Sequence, residues 1–494
     1  MKEDPVVADT EAILGRVDVL KPLQIARAGI GEAFDRFLGR VSAGTQTTGG
    51  ISYPFTSYTY DLLDDVLSMG MPSGRTIATN YDSSGRPISV SGTLGANTTH
   101  YVSSVSYAPH GAPSSISLAN GAMTRQTCFN SLLQPVVLRL RTGQASCGAA
   151  DGSDIGYFGY TFSSTQNNGN VLGQAIQYGA GQTYASKSFQ QTYSYTANRL
   201  MGVTETYTDP VTQGQDSSFT QSYQYDVVGN RWVSGGLATD PFTPQGNVYD
   251  GNNHMSSATY GDGRGNVTQI GGYTYGYDAE NRLISSTLAL PGNTISSATY
   301  TYDGDGRRVV KQSNGTTTQY VYDADGQLVA EYVVSGTGTA APCTTCYLMA
   351  DHLGSTRMMT DSAGNQQALY DYAPNGEELT TQGSRDARWG GPGAGLHFTG
   401  KEQEGSEGDY MHYFGARYYS GGMGRFTSPD PHNEGAQMVD PQSWNMYSYV
   451  GNNSVRYVDP DGQDRHVCLG DTRRGRRDNA SESEVGAPQG RRPV

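Results

Sequence analysis

One short phrase recurs along this chain and limits its architecture more than any other feature. A Tyr is followed two residues on by a second Tyr, then Asp, a polar turn with Gly or Asn, and an apolar group. It reads YQYDVVGNRWV from Tyr223, YGYDAENRLIS from Tyr275, YTYDGDGRRVV from Tyr300 and YVYDADGQLVAEY from Tyr320. Further Tyr-Asp copies stand at Asp61, Asp82 and Asp250, with degenerate copies near Tyr107 and Tyr195. Such self-similarity sets the plan of a whole chain. Tyr residues two apart share one face of a strand, Asp bonds its own turn backbone, and Gly takes the positive φ that the turn demands. The phrase therefore builds a β-hairpin. One hairpin is marginal in water, so successive copies must stack to bury their Tyr faces.

Composition agrees with an all-β chain. Hydrophobic residues are only 36%, but charged residues are 16%, and the chain carries 65 Gly and 35 Tyr. Disordered chains are charge-rich and aromatic-poor instead. A net charge of −14 argues against nucleic acid as a partner. The basic cluster RRGRR, Arg473 to Arg477, lies in a tail expected to be disordered. No apolar run is long enough to span a bilayer, and the start has no recognisable signal peptide. Cys343 and Cys346 form a CTTC pair without a second pair to complete a zinc site. They are expected to be a solvent-exposed loop pair, and the five cysteines do not describe a disulfide scaffold. No metal and no cofactor is expected.

These patterns divide the chain into four segments. Residues 1–49 are read as a helical and linker segment, with two short amphipathic helices over 11–41 and the polar stretch SAGTQTTGG after them. Residues 50–345 hold the repeats, as sequential antiparallel hairpins whose Tyr-Asp turns line one edge. Residues 346–462 form a distinct core, expected to pack on the end of the repeat sheet. Residues 463–494 are a polar tail too short to fold as an enzyme.

The Tyr-Asp units resemble the YD repeats of Rhs proteins. The segment after them resembles the Rhs-associated core: DHLGSTRMMTDSAGN from Asp351, YDYAPNGE from Tyr370, FTGKEQE from Phe398, YFGARYYSGGMGRFTSPDP from Tyr413, and NMYSYVGNNSVRYVDPDG ending at Gly462. The resemblance spans about residues 50–462. It implies a hollow β-sheet shell, related to toxin-complex subunits and teneurins, closed by the core. It also implies a variable C-terminal cargo enclosed there and cut from the shell by the core itself. The core as aspartic autoprotease would use two carboxyls sharing a proton. Carried over, these are Asp430 and Asp440, helped by Arg425, with the cut near Gly462, Gln463 and Asp464. Gln463 stands where the family usually has Leu, a departure at the cleavage site. Without the resemblance, Asp430, Asp440 and Asp459 all read as turn caps before Pro.

Three readings compete. In the first, a shell protein or fragment of one encloses its own C-terminal segment and releases it, alongside a secretion-system or upstream shell component. In the second, a non-enzymatic surface or adhesion module binds carbohydrate through its Tyr-rich repeats. In the third, a truncated product fails to close a chamber, since the family's shells use far more repeat sequence. The expected location is outside the cell or on its surface.

Overall fold

A computed structural model describes residues 6–8, 33–34, 39–179, 187–208, 218–236, 242–290, 293–336, 342–379, 395–404, 411–431, 441–463 and 466–467. The repeats run as hairpins in strict chain order. Strands from Tyr58–Tyr60 to Arg231–Gly235 make a 14-stranded antiparallel sheet, and those from Ala258–Thr259 to Leu328–Ser335 make an eight-stranded one. The Tyr-Asp turns at Asp61, Asp82, Asp226, Asp278, Asp303 and Asp323 each join an odd strand of their sheet to the next even one. They therefore line one edge of the sheets.

Within a unit, the Asp holds the turn. Asp303 Oδ1 accepts from the amides of Asp305 (3.0 Å) and Arg307 (2.9 Å), and Asp278 does the same for Glu280 and Arg282 at 2.9 Å. The residue three after the Asp takes positive φ, 80° at Gly306 and 62° at Asn281, which is why Gly and Asn alternate there. The first Tyr of each phrase is buried, for example Tyr223, Tyr275, Tyr300 and Tyr320. The second reaches back with its hydroxyl to a carbonyl of the preceding unit. Tyr302 donates to Leu283 O and Tyr322 to Arg308 O, both at 2.7 Å. Each unit is thus both packed on and hydrogen-bonded to its neighbour.

The two ends of the array meet. The polar stretch read as a linker is a hairpin, Val41–Thr48 with Ile51–Phe55, turned by Gly49 and Gly50 at positive φ. It wedges between the first and last repeats. Gln46 donates to Tyr320 O (2.8 Å) and accepts from Tyr322 N–H (2.9 Å), while Tyr53 stacks on Tyr332 at 5.0 Å. Tyr58 and Met69 of the first repeat share one hydrophobic cluster with Val321 and Tyr332 of the last. Of the helices expected over 11–41, residues 9–32 and 35–38 lie outside the described residues, while Ala33–Phe34 is a strand paired with the hairpin. Val6–Ala8 is a strand parallel to Thr345–Tyr347.

The core does not cap a strand edge as expected. It lies across the inner faces of both sheets, because alternation leaves those faces apolar and a face buries more area than an edge. Tyr347, Met349, Met358 and Leu369 join Phe158, Ile176 and Phe189 of the larger sheet in one cluster. Met411, Tyr418 and Met423 pack against Tyr273, Tyr275 and Tyr300 of the smaller sheet. A buried ion cluster adds to the second contact. Arg308 bonds Glu402 and Glu404 of the core, and Lys311 Nζ sits 2.9 Å and 2.6 Å from the same two carboxylates. Burial alone would raise the Glu402 carboxyl, but Arg308 and Lys311 hold it down to about 2.

The cysteine reading is corrected. Cys128 and Cys147 are disulfide-bonded, as are Cys343 and Cys346, with Cα–Cα distances of 5.8 and 5.5 Å. Cys346 is fully buried in the core's first strand, clustered with Leu348 and Met359, so the pair is not a solvent-exposed loop.

Candidate functional site

The chain around Gly462 is gripped from several sides. Asp459 Oδ1 accepts from the amides of Gly462 (2.7 Å) and Gln463 (3.1 Å), closing the DPDG turn on itself. Arg417 Nε donates to Gly462 O, and its Nη1 donates to Met446 O at 2.9 Å. The Arg417 Nη2 atom lies 3.7 Å from Asp459 Oδ2 and 3.8 Å from Asp430 Oδ2, so one guanidinium bridges two carboxylates. Lys401 Nζ donates to Pro460 O at 2.5 Å, and Ala416 N–H donates to Asp461 O. The Gly462–Gln463 peptide therefore has its carbonyl on a cation and its N–H on a carboxylate.

Electrostatics separates the groups. Arg417, Asp430 and Asp459 are all buried. Burial pushes the Asp459 carboxyl up to about 6, with the Arg417 charge opposing and the Asp461 charge adding to the rise. Burial also lowers the Arg417 guanidinium from its usual value, against the attraction of Asp459 and Asp430. An Asp near 6 is a usable proton donor at mildly acid pH, and a cation on a carbonyl oxygen stabilises charge developing there.

The residues inferred from sequence divide. Asp430, Gly462 and Gln463 are brought together. Arg425 is not the cation of this site: it is buried between the rings of Tyr249 and Tyr447, 5.1 and 4.4 Å from their centroids. Arg417 takes that place, because the chain turns at Gly421–Gly424 and returns Thr427 to Tyr418 O. Asp440 and Asp464 lie outside the described residues, and Asp459 occupies the position beside Arg417. Sequence reasoning did not single out Arg417 and Asp459 as members of this cluster, although Asp459 heads the DPDG motif and Arg417 lies in GARYYS. The tail is not wholly irregular, since His466–Val467 pairs with Tyr457–Val458. Among the described residues no cluster of His, Cys, Asp and Glu could hold a metal, and no helix is long and apolar enough to cross a membrane.

No family model matches the chain. It is 32% identical over 222 residues to the tRNA3(Ser)-specific nuclease WapA of Bacillus spizizenii, covering 41% of this chain and 9% of that protein. It is 29% identical over 270 residues to double-stranded DNA deaminase toxin A of Burkholderia cenocepacia, covering 50% of this chain and 17% of the relative. To toxin subunit YenC1 of Yersinia entomophaga it is 25% identical over 301 residues, 51% of this chain and 30% of the relative. The chain thus spans less than a third of the length of each. Among solved structures, TcdB2-TccC3-TEV superposes with a TM-score of 0.59 at 17% identity, covering 87% of this chain and 23% of the other. TcdB2-TccC3 without its hypervariable C-terminal region gives 0.57 at 17% identity, covering 86% and 23%. The fold is therefore similar to that part of the TcdB2-TccC3 structures, and in sequence the chain is similar to part of much longer toxin proteins.

Proposed function

We propose that this chain is a shell protein that encloses the segment following Gly462 and frees it by hydrolysing the Gly462–Gln463 bond. The observation that carries the reading is the Asp430–Arg417–Asp459 bridge around that peptide. Asp430 acts as base and takes a proton from water, whose oxygen adds to the Gly462 carbonyl carbon. Arg417, already on the carbonyl oxygen, stabilises the oxyanion. Asp459, whose Oδ1 accepts from the Gln463 N–H at 3.1 Å, is held beside that nitrogen, and once water has added its protonated carboxyl gives up the proton that lets the amine leave as the C–N bond breaks. Gln463 in place of Leu does not disturb these contacts, since they are made by its backbone.

Several features support enclosure. The array's ends are joined through the Val41–Phe55 hairpin, which weighs against a wall that cannot close. The relatives named as toxins carry far longer chains, which fits this segment serving as the housing in such a protein. The cargo, a secretion-system or shell partner, and a secreted or surface location belong to this proposal. Two disulfides fit an oxidising compartment. The adhesion reading loses its basis, since the Tyr rings that would stack on sugars are mostly buried between the layers. The test is the intact mass of the purified chain over time: loss of residues 463–494 supports the reading, and a stable full-length mass contradicts it.

A further inference from the structure

The segment Gln442–Asn453 does not belong to any sheet, yet it carries more side-chain amides onto the shell than any other part of the core described. Gln442 donates to Ala197 O (3.1 Å) and accepts from Arg199 (3.0 Å). Asn445 donates to Asn230 Oδ1 (2.8 Å) and to Val228 O (3.3 Å). Asn452 donates to Gly229 O (2.9 Å), and Asn453 to Asn170 Oδ1 (2.9 Å) and Asn198 O (2.8 Å). Tyr447 donates to Gly265 O at 2.7 Å. All these partners lie at the single edge that holds the Tyr-Asp turns. The segment is a strap laid along the rim, touching the loop before Val171 and the turns at 197–198, 226–230 and 262–265.

The other face of the strap holds the cleavage site. Met446 O is shared by Arg417 Nη1 (2.9 Å) and the Asp430 amide (3.0 Å), and Tyr447 O accepts from Phe426 N–H. The residue bearing the site's cation and the residue bearing its first carboxylate are thus both anchored to one carbonyl. That carbonyl sits between Asn445 and Tyr447, two of the residues fastened to the shell. Buried amides of this kind lose their partners at substantial cost if the rim is absent.

Resting on the self-cleavage reading, we propose that the strap makes cleavage conditional on an assembled rim: Gln442, Asn445, Asn452 and Asn453 are positioning residues that set Arg417 and Asp430 only when the repeat turns are in place. Cutting before the shell forms would free the cargo unenclosed, and this coupling prevents it. The hydrogen bonds described for these four side chains are to the rim, at Ala197, Arg199, Val228, Asn230, Gly229, Asn170 and Asn198. The four residues act through the Met446 carbonyl.

The test is a double-mutant cycle across the rim on the full chain, Asn445→Ala in the strap and Asn230→Ala in the repeat turn. Cleavage is followed by intact mass from pH 4 to 8, and melting temperature checks the fold. Each single variant is expected to cleave about tenfold or more slowly, and the double variant no more slowly than either. The alkaline limb of the pH profile should move up in the variants, because a displaced Arg417 no longer opposes the rise of the Asp459 carboxyl. Should Asn445→Ala not fold, Gln442→Ala at the half-exposed start of the strap gives the same test, with an expected slowing of about two- to threefold. Folded variants with unchanged rate and profile overturn the coupling alone, as do single effects that simply multiply. An unmodified chain that never cleaves overturns the protease reading and the coupling with it.

Discussion

The Tyr-Asp turns of the repeats and the DPDG turn of the core use the same device. In both, an Asp oxygen accepts from amides two to four residues on, as at Asp278 and at Asp459. Their surroundings differ. The carboxyl of Asp278 is partly buried, which alone would raise it, but the Arg282 amide and guanidinium beside it bring it below the ordinary range. Asp459 is buried beside Asp461 and shares its one guanidinium with Asp430, and its carboxyl rises to about 6. The pKa of a turn-capping carboxyl rises when the fold removes water and divides its counter-charge. The local motif is common to both regions, and the chemistry comes from packing.

If that contrast is right, removing the carboxyl at either side of Arg417 should have the largest effect. Asp430→Asn and Asp459→Asn should each leave the chain at full length in mass spectrometry while circular dichroism stays unchanged. Arg417→Lys should come second, slowing cleavage by about 10²-fold, since a single point charge replaces a fork that serves both the carbonyl and two carboxylates. Next is the pH dependence. A proton donor near 6 means that the cleavage rate falls as pH rises through about 6, while a site built on an ordinary turn Asp would already be failing near pH 4.

Stability gives a smaller but independent contrast. A carboxyl whose pKa is higher in the folded chain is neutral in both states below about pH 4 and costs nothing there. The cost grows between about 4 and 6 and is complete above. Asp459→Asn should therefore stabilise the protein at pH 7 by up to about 3 kcal/mol and leave it unchanged at pH 4, in paired thermal melts. Asp303→Ala in a repeat turn should behave in the opposite way. It loses two amide contacts and the Arg307 ion pair, costing about 1 kcal/mol at neutral pH, with no change in cleavage.

The repeats were legible because everything that makes them is local: two Tyr on one face, an Asp cap and a residue with positive φ lie within one short phrase. The site was legible only in part for the opposite reason. Arg417, Asp430 and Asp459 come from three separated segments, and Met446 O, in a strap outside the sheets, holds two of them in place. Arg425 was the nearer basic residue in sequence, yet its strand turns it between two Tyr rings. The Val41–Phe55 hairpin escaped notice because its Thr, Ser and Gln residues show no apolar alternation. Its buried contacts include hydrogen bonds such as those of Gln46 to Tyr320 and Tyr322. The core's place on the sheet faces reflects summed apolar area, which no short window of sequence displays.

The most direct measurement is a time course of intact mass at pH 5.5 for the unmodified chain beside Asp459→Asn. The expected result starts at 52.9 kDa and ends with a product terminating at Gly462 in the unmodified chain only. A mass that stays at 52.9 kDa in both, or a cut at the same bond in both, would contradict the assignment of Asp459 as the acid of a self-cleaving shell.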